Sequence, residues 1–501
     1  MANKKLGILF LITVLLAFTL GYFSSQILPQ TPFRSEDMFE RINEEFRSSY
    51  YYNITDEDIT TAYIEHIRAV ISTYGALYDD PYTRLDETPL SITPSSAESY
   101  VGLGIYLTFE AFDIKVLDVF YEGSVYGMIF PNDLIIGRVI DDEDALFEDF
   151  ESQKDVLDAL RGTLDEQKTL IVKNPDGVIR YETITYLSIP TPSVVTIDLG
   201  DDIAYIRIND FTPFIEGVTP GTSTIFSDVL YDLEQSLLNE NPANKTLILD
   251  VRGNPGGSLS ALHNQGQSDV APGILQQLIP KNTDDPIFEM RNRTGTPEAF
   301  YGGLNQPKPY QIKVLVNEKS ASASEVLAAS LYASLGTEIY GQPTFGKKFF
   351  QNVIYLFDIS DIRYNLIMTQ GIWTYADGKN IVDDPLPVNL LDPTRILLSA
   401  QPIYEGEVML NDVHTSLSLY QAFLNHYFEY EGAALLRTDG YFDQATRNAF
   451  LDLQLQQQTL SVTGRLDYQT SQWIFMHYQT MLNEPVYDQQ LSNLIAMIRN
   501  G

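Results

Sequence analysis

Leu249-Asp250-Val251-Arg252-Gly253-Asn254-Pro255-Gly256-Gly257 closes an apolar run that begins at Thr246. A short apolar run bounded by turn residues reads as a buried strand. Three glycines and a proline in the five positions from Gly253 to Gly257 read as a backbone that can approach a ligand closely and present N–H groups, although a plain strand-to-helix turn uses the same residues. Working outward, strand and helix patterns alternate from Asp201 on: Ala204 to Ile208, Ile225 to Asn239, Thr246 to Val251, Ile312 to Asn317, Glu325 to Leu335 and Glu338 to Tyr340. Alternation of this kind predicts an α/β core. Further strands are expected at Tyr364 to Thr369 and Gly371 to Thr374, before a turn at Asp377-Gly378.

Two segments of this core carry candidate chemistry. Ser320-Ala321-Ser322-Ala323-Ser324-Glu325 leads into an apolar helix. Ser and Glu there satisfy free helix N–H groups as caps. A hydroxyl at a helix start also sits where aligned amides stabilise a developing oxyanion, so any of the three serines could be a nucleophile. A serine needs a base, and the five histidines (66, 263, 414, 426, 477) are scattered. Thr344-Phe345-Gly346-Lys347-Lys348-Phe349-Phe350-Gln351 supplies lysines among apolar or small residues. A desolvated lysine can lose its proton near neutral pH and accept one from serine. Lys347 and Gln351 are four apart and would share one face of a strand.

Composition narrows the classes. The formal net charge is −35 with 44% apolar residues, a globular balance whose charge repels phosphate backbones, so nucleic acid is not an expected partner. Zero cysteines exclude disulfides, thiolate metal sites and a cysteine nucleophile. No HExxH spacing occurs, and no metal or organic cofactor is implied.

At the N-terminus, Lys4 and Lys5 precede an uncharged run from Leu6 to Phe23, long enough for a bilayer of ~30 Å hydrocarbon at 1.5 Å per residue. The basic flank stays inside and the remainder is expected outside. A cleaved signal peptide is the alternative, but Ser24 to Pro29 lacks a clean small-x-small site. Packing helices are expected at Met38 to Tyr51 and Asp58 to Leu77, stopped by Asp79-Asp80-Pro81-Tyr82-Thr83. From Ser99 to Ile189 short strands surround one helix, Lys154 to Arg161, and Gly102-Leu103-Gly104-Ile105 opens the set. Near the other end, Leu417 to Tyr427, Gln444 to Gln457 and Tyr468 to Tyr478 are helices joined by Gly-containing turns, so that helix and turn repeat.

Residues 99–189 resemble a PDZ domain. The resemblance implies that the loop Gly102, Leu103, Gly104 and Ile105 offers N–H groups to a peptide's terminal carboxylate, with the peptide adding as a strand beside the helix. The Asp-Asp-Pro-Tyr-Thr motif, the PDZ-like loop, Asp250 to Gly257, Ser320 to Glu325 and Thr344 to Lys347 occur in the order found in carboxyl-terminal processing, or tail-specific, proteases, and the resemblance covers roughly residues 38 to 400. It implies Ser322 as nucleophile, Lys347 as base, Gln351 as the residue orienting the lysine, and an oxyanion hole from Ala323 with Gly256 or Gly257. Lys348, Phe349 and Phe350 after the base, and the prolines 272, 280 and 286, depart from the family pattern. Residues from Leu417 on are similar to a three-helix peptidoglycan-binding domain, with Asp443 where that family prefers Gly.

The expected fold class is therefore multidomain, α/β plus mixed. A cytoplasmic tip and transmembrane anchor (1–33) precede a helical segment (34–95), a barrel-like PDZ domain (96–189), an α/β serine protease core (190–403) and a C-terminal three-helix domain (404–501). The expected activity is a membrane-anchored, extracytoplasmic serine endopeptidase acting on proteins or peptides with free C-terminal tails. Peptidoglycan and a second copy of the chain are further candidate partners. The competing readings are a non-catalytic wall-associated scaffold and a wall peptide hydrolase.

Overall fold

The computed structural model describes residues 42, 44, 55–89, 99–200, 202–238, 240–264, 270–282, 285–359, 362–376, 378–392, 401–403, 406–482 and 487–500. The expected anchor at 6–23 lies outside them, as does most of the expected helix at 38–51. Among the described residues no helix is long and apolar enough to cross a membrane. The chain divides into two compact units, one of residues 1–87 with 353–357 and 364–368, the other holding the rest.

In the first unit, α1 (Asp56–Tyr78) starts at Thr55, whose side chain accepts the Asp58 N–H while the Asp58 carboxylate accepts the Thr55 N–H at 2.8 Å. The helix ends at Asp79 in the left-handed region (φ 52). Asp80 then accepts the N–H of Tyr82 at 3.0 Å and the hydroxyl of Thr83 at 2.6 Å, which fixes the expected stop and starts β1 (Arg84–Pro89).

The second unit begins with the region expected to be PDZ-like. Strands β2 (Ser99–Gly102), β3 (Ile105–Glu110), β4 (Asp113–Val119), β5 (Leu134–Ile140), β6 (Glu143–Leu146), β7 (Gln167–Lys173), β8 (Ile179–Thr185) and β9 (Leu187–Pro190) form a sheet ordered β3-β4-β5-β7-β8, with β6 on β5 and a separate β2–β9 pair. Helix α2 (Gln153–Leu160) is capped by Ser152 and buries Val156 and Leu160 in the same core as Ile114, Val116 and Val172.

The core sheet runs β10 (Val194–Thr196), β11 (Ile203–Ile208), β12 (Thr246–Asp250), β15 (Gln311–Val316), β16 (Glu338–Gly341) and β19 (Val388–Leu390), parallel except for β10. Its strands alternate strictly. Leu247 and Leu249 face one core, shared with α3 (Thr222–Ser236), α4 (Ile274–Leu278) and α5 (Ala323–Leu335); Ile248, with Tyr205 and Leu315, faces another. A side-chain period of two sends neighbouring residues to opposite faces, so the sheet is buried on both sides, as parallel sheets are. Beside it, β13 (Phe288–Asn292) pairs with β14 (Pro297–Phe300) and with residues 371–374 of β18 (Ile362–Thr374); β17 (Phe349–Ile359) also pairs with β18.

In the C-terminal region α6 (Leu417–Tyr427), α7 (Gln444–Gln456) and α8 (Tyr468–Leu482) pack around Tyr420, Phe423, Phe442, Phe450 and Tyr478. The repeat read from the sequence has a polar counterpart. Buried Gln421 accepts the Gly440 N–H and donates to Thr446; buried Gln454 accepts the Gly464 N–H and donates to Thr470. Asp443 caps α7 by accepting the Thr446 N–H at 2.8 Å, and Asp467 does the same for Thr470. Helix α8 also meets the β2–β9 region: Tyr126 donates its hydroxyl to the Met476 carbonyl at 2.9 Å and the rings of Phe130 and Phe475 lie 6.2 Å apart.

A fourth helix in this region, α9 (Gln489–Asn500), was not anticipated. The sequence reading assigns it to the three-helix domain, yet Leu491 and Leu494 share the second core of the six-stranded sheet with Tyr205, Ile248 and Leu315.

Candidate active site

The turn after β12 is held from within. Asp250 is fully buried and accepts the Tyr205 hydroxyl at 2.7 Å and the Arg252 Nε–H at 3.0 Å. Burial works against the Arg252 cation, but Asp250 and Asp488 outweigh it and keep the guanidinium charged well beyond the ordinary arginine range. Asn254, also fully buried, donates its amide to the Ile208 carbonyl at 2.9 Å and accepts the Gly256 N–H at 2.8 Å.

Over this turn lies the serine segment, and the structure separates its three hydroxyls. Ser320 and Ser324 are fully buried, donating to the carbonyls of Val251 (2.8 Å) and Asn254 (2.9 Å). Ser322 alone of the three is partly exposed. It precedes α5 with φ 55 and ψ −115, a backbone conformation that a non-glycine residue adopts only when its surroundings impose it. Gly256 lies directly against it: a Cβ there would come within 2.8 Å of Ser322 Cβ and of the Ala321 carbonyl. Only glycine fits, and its φ of 109° demands glycine for a second reason.

Glu325 joins this turn to the lysine segment. Its carboxylate is fully buried and accepts the N–H groups of Ser322 (2.8 Å), Gly346 (2.6 Å) and Lys347 (2.9 Å). Burial pushes the carboxyl above the ordinary glutamate range, against the pull of those N–H groups. The Lys347 carbonyl accepts the indole N–H of buried Trp373 at 2.8 Å, and Phe345 N–H donates to the Ser320 carbonyl at 3.0 Å.

The structure thus brings Ser322, Ala323, Gly256 and the Lys347 backbone to one place. The expectation that Lys347 and Gln351 share a strand face is corrected: β17 begins at Phe349, because Glu325 captures the Gly346 and Lys347 amides and Gly346 turns at φ 88. Gln351 lies in β17, its amide 3.4 Å from the Thr369 hydroxyl. Gly102, Leu103, Gly104 and Ile105 lie apart from these residues in sequence, at the β2–β3 junction. Sequence reasoning treated Glu325 only as a cap and gave no role to Arg252, Asn254 or Trp373. The Ser-x-x-Glu spacing of a capping box pointed to Glu325; nothing local pointed to Trp373, whose contact spans 26 residues.

Known proteins resemble this chain. Residues 202–383 match Peptidase family S41. The chain is 23% identical over 481 residues to the carboxy-terminal processing protease CtpB of Bacillus subtilis, covering 93% of this chain and 89% of that protein. It is 26% identical over 394 residues to CtpA of the same organism, covering 75% and 74%. Among solved structures, the photosystem II D1 C-terminal processing protease aligns over 71% of this chain and 87% of its own at 21% identity, with a TM-score of 0.39. With a partly exposed serine at a strained helix start and a lysine loop bound to the same buried carboxylate, the chain is a serine-type peptidase: its residues 202–383 are similar to Peptidase family S41, and the relatives it resembles are named carboxy-terminal processing proteases.

Proposed function

We propose that the chain is a carboxyl-terminal processing endopeptidase that cuts with a Ser322–Lys347 dyad. The observation that carries this reading is the shared Glu325 oxygen, which fixes the serine turn and the lysine loop to one atom. Lys347, unprotonated, takes the Ser322 Oγ proton as Oγ bonds to the scissile carbonyl carbon. The carbonyl oxygen gains the electron pair and faces the amides of Ala323 and Gly257. Collapse expels the amine, which leaves with the lysine's proton, and an acyl ester on Ser322 remains. Water, deprotonated by Lys347, then hydrolyses it. Gly257 is the better second donor because the Gly256 N–H is already given to Asn254, whereas among the described residues the Gly257 N–H has no acceptor. Ala323, as the first helical residue, has an N–H without an intrahelical partner. Gln351 orients the lysine.

In this reading the PDZ-like fold captures unstructured tails. The carbonyls of Gly102, Leu103 and Gly104 accept bonds from Ser124 Oγ, Val125 N–H and Phe120 N–H. In a trans peptide the carbonyl and the next N–H point opposite ways, so the loop's amides are turned away from those partners toward a carboxylate. The run from Leu6 to Phe23 anchors the chain with its catalytic part on the extracytoplasmic side, and the α6–α8 domain offers a contact to peptidoglycan.

The test is hydrolysis of casein by the full chain and by Ser322→Ala. The expected result is steady cleavage by the first and none by the second. Cleavage that survives in Ser322→Ala removes the dyad.

A further inference from the structure

Helix α9 reaches the catalytic turn through one residue. Asp488 immediately precedes it and caps it, accepting the Leu491 N–H at 3.1 Å. The same carboxylate accepts both terminal nitrogens of Arg252, at 2.9 and 2.5 Å, and Gln490 Oε1 accepts an Arg252 N–H at 3.1 Å. Arg252 is thereby clamped between Asp250, at the end of the preceding strand β12, and Asp488 on a segment 236 residues away. Two residues beyond Arg252 stands Asn254, which receives the Gly256 N–H, the Ala321 N–H and the Ser324 hydroxyl. The far end of α9 is fastened independently, by Arg499 donating to Asp202 at 2.9 Å, and the middle by Leu491 and Leu494 in the sheet's second core.

A guanidinium held on two sides has one orientation, and its planar fork transmits that orientation to the backbone it springs from. We propose that Asp488 is a positioning residue for the peptidase reaction: through Arg252 it sets the turn from Asp250 to Gly257 against Ser322, so that α9 is a working part of the catalytic core. The inference rests on the serine mechanism above but concerns a residue that touches neither substrate nor nucleophile. A misplaced oxyanion donor weakens stabilisation of the transition state while leaving ground-state binding alone, so the effect falls on kcat.

The experiment compares the full chain with Asp488→Ser, Asp488→Glu, Arg499→Ala and Ser322→Ala, by steady-state cleavage of a fluorogenic peptide and by thermal melting. Serine keeps the helix cap and removes the charge facing Arg252. The expected result is that Asp488→Ser lowers kcat about tenfold with KM within twofold and little change in melting, that Asp488→Glu recovers most of the loss, and that Arg499→Ala, which unfastens the far end of the same helix, leaves kcat unchanged. The proposal is overturned by unchanged kcat in Asp488→Ser, by a loss expressed in KM, by an equal kcat loss in Arg499→Ala, or by an Asp488→Ser protein that does not fold. Activity remaining in Ser322→Ala signals instead that the serine mechanism has failed, which separates the two outcomes.

Discussion

Ser322 and Lys347 donate their backbone N–H groups to the same atom, Oε2 of Glu325, at 2.8 and 2.9 Å. The serine turn and the lysine loop, carried on different elements, are thus indexed to each other through one carboxylate oxygen.

Replacement of Glu325 is therefore expected to damage catalysis and stability together. Glu325→Ala leaves three N–H groups without their acceptor, each costing about 1–3 kcal/mol where water cannot replace it. Glu325→Gln keeps the shape but turns an NH₂ group toward at least one of these donors. Both variants should lose at least about tenfold in kcat, with the larger fall in melting temperature for Ala. Wild-type turnover in Glu325→Gln would contradict the shared-acceptor argument.

Gly256→Ala tests the close approach beneath the serine. A Cβ 2.8 Å from both Ser322 Cβ and the Ala321 carbonyl, at a φ of 109°, has no room and no relaxed backbone. The variant should fold less stably and cleave peptide at least about tenfold more slowly. Gly295→Ala, at a turn with open space, is the comparison: its cost is confined to its φ of 82° and should leave turnover intact.

Tail recognition predicts a carboxylate requirement. A peptide with a free C-terminus should bind the full chain carrying Ser322→Ala, and amidation should weaken that binding about tenfold or more. Equal affinities by fluorescence anisotropy would take away the role assigned to Gly102 to Ile105.

Burial lowers the pKa of His263, His426 and His477. The folded values lie below the unfolded ones, so the fold gains stability above the unfolded pKa of about 6.5 and loses it as pH falls through the folded values. Melting temperature should be level from pH 8 to about 6.5 and decline below. His477 stacks on Trp473 with ring centroids 4.1 Å apart, so His477→Gln should flatten that decline as followed by tryptophan emission. An unchanged acid decline in this variant would assign the effect elsewhere.

Much of the site was legible because its signals are local. The run Thr246 to Val251 gave the buried strand, Glu325 to Leu335 lies within α5, and the turn-helix repeat reappeared with paired glutamines at 421 and 454. What local pattern left open was set by long-range contact. Three serines in one run cannot be ranked by spacing; burial ranked them, by spending Ser320 and Ser324 on the carbonyls beneath. Lys347 was expected in a strand because nothing near it announces the Glu325 carboxylate that draws its amide out of the ladder. Helix α9 did carry a readable signal, Asp488 followed by Leu491, Leu494, Ile495 and Ile498 at helical spacing, but its destination on the protease sheet has no trace in adjacent sequence.

The placement of α9 also imposes a schedule. A ribosome adding about 5–20 residues per second needs on the order of 10–50 s to travel from Arg252 to Asp488. Throughout that interval Arg252 lacks its second carboxylate, and strands β15, β16 and β19 and helices α6–α8 are all made before Asp488 arrives. The Arg252 turn is consequently completed only after the neighbouring helical domain has been synthesised, and a chain interrupted between Lys347 and Asp488 holds both Ser322 and Lys347 while Arg252 still lacks its contact with Asp488.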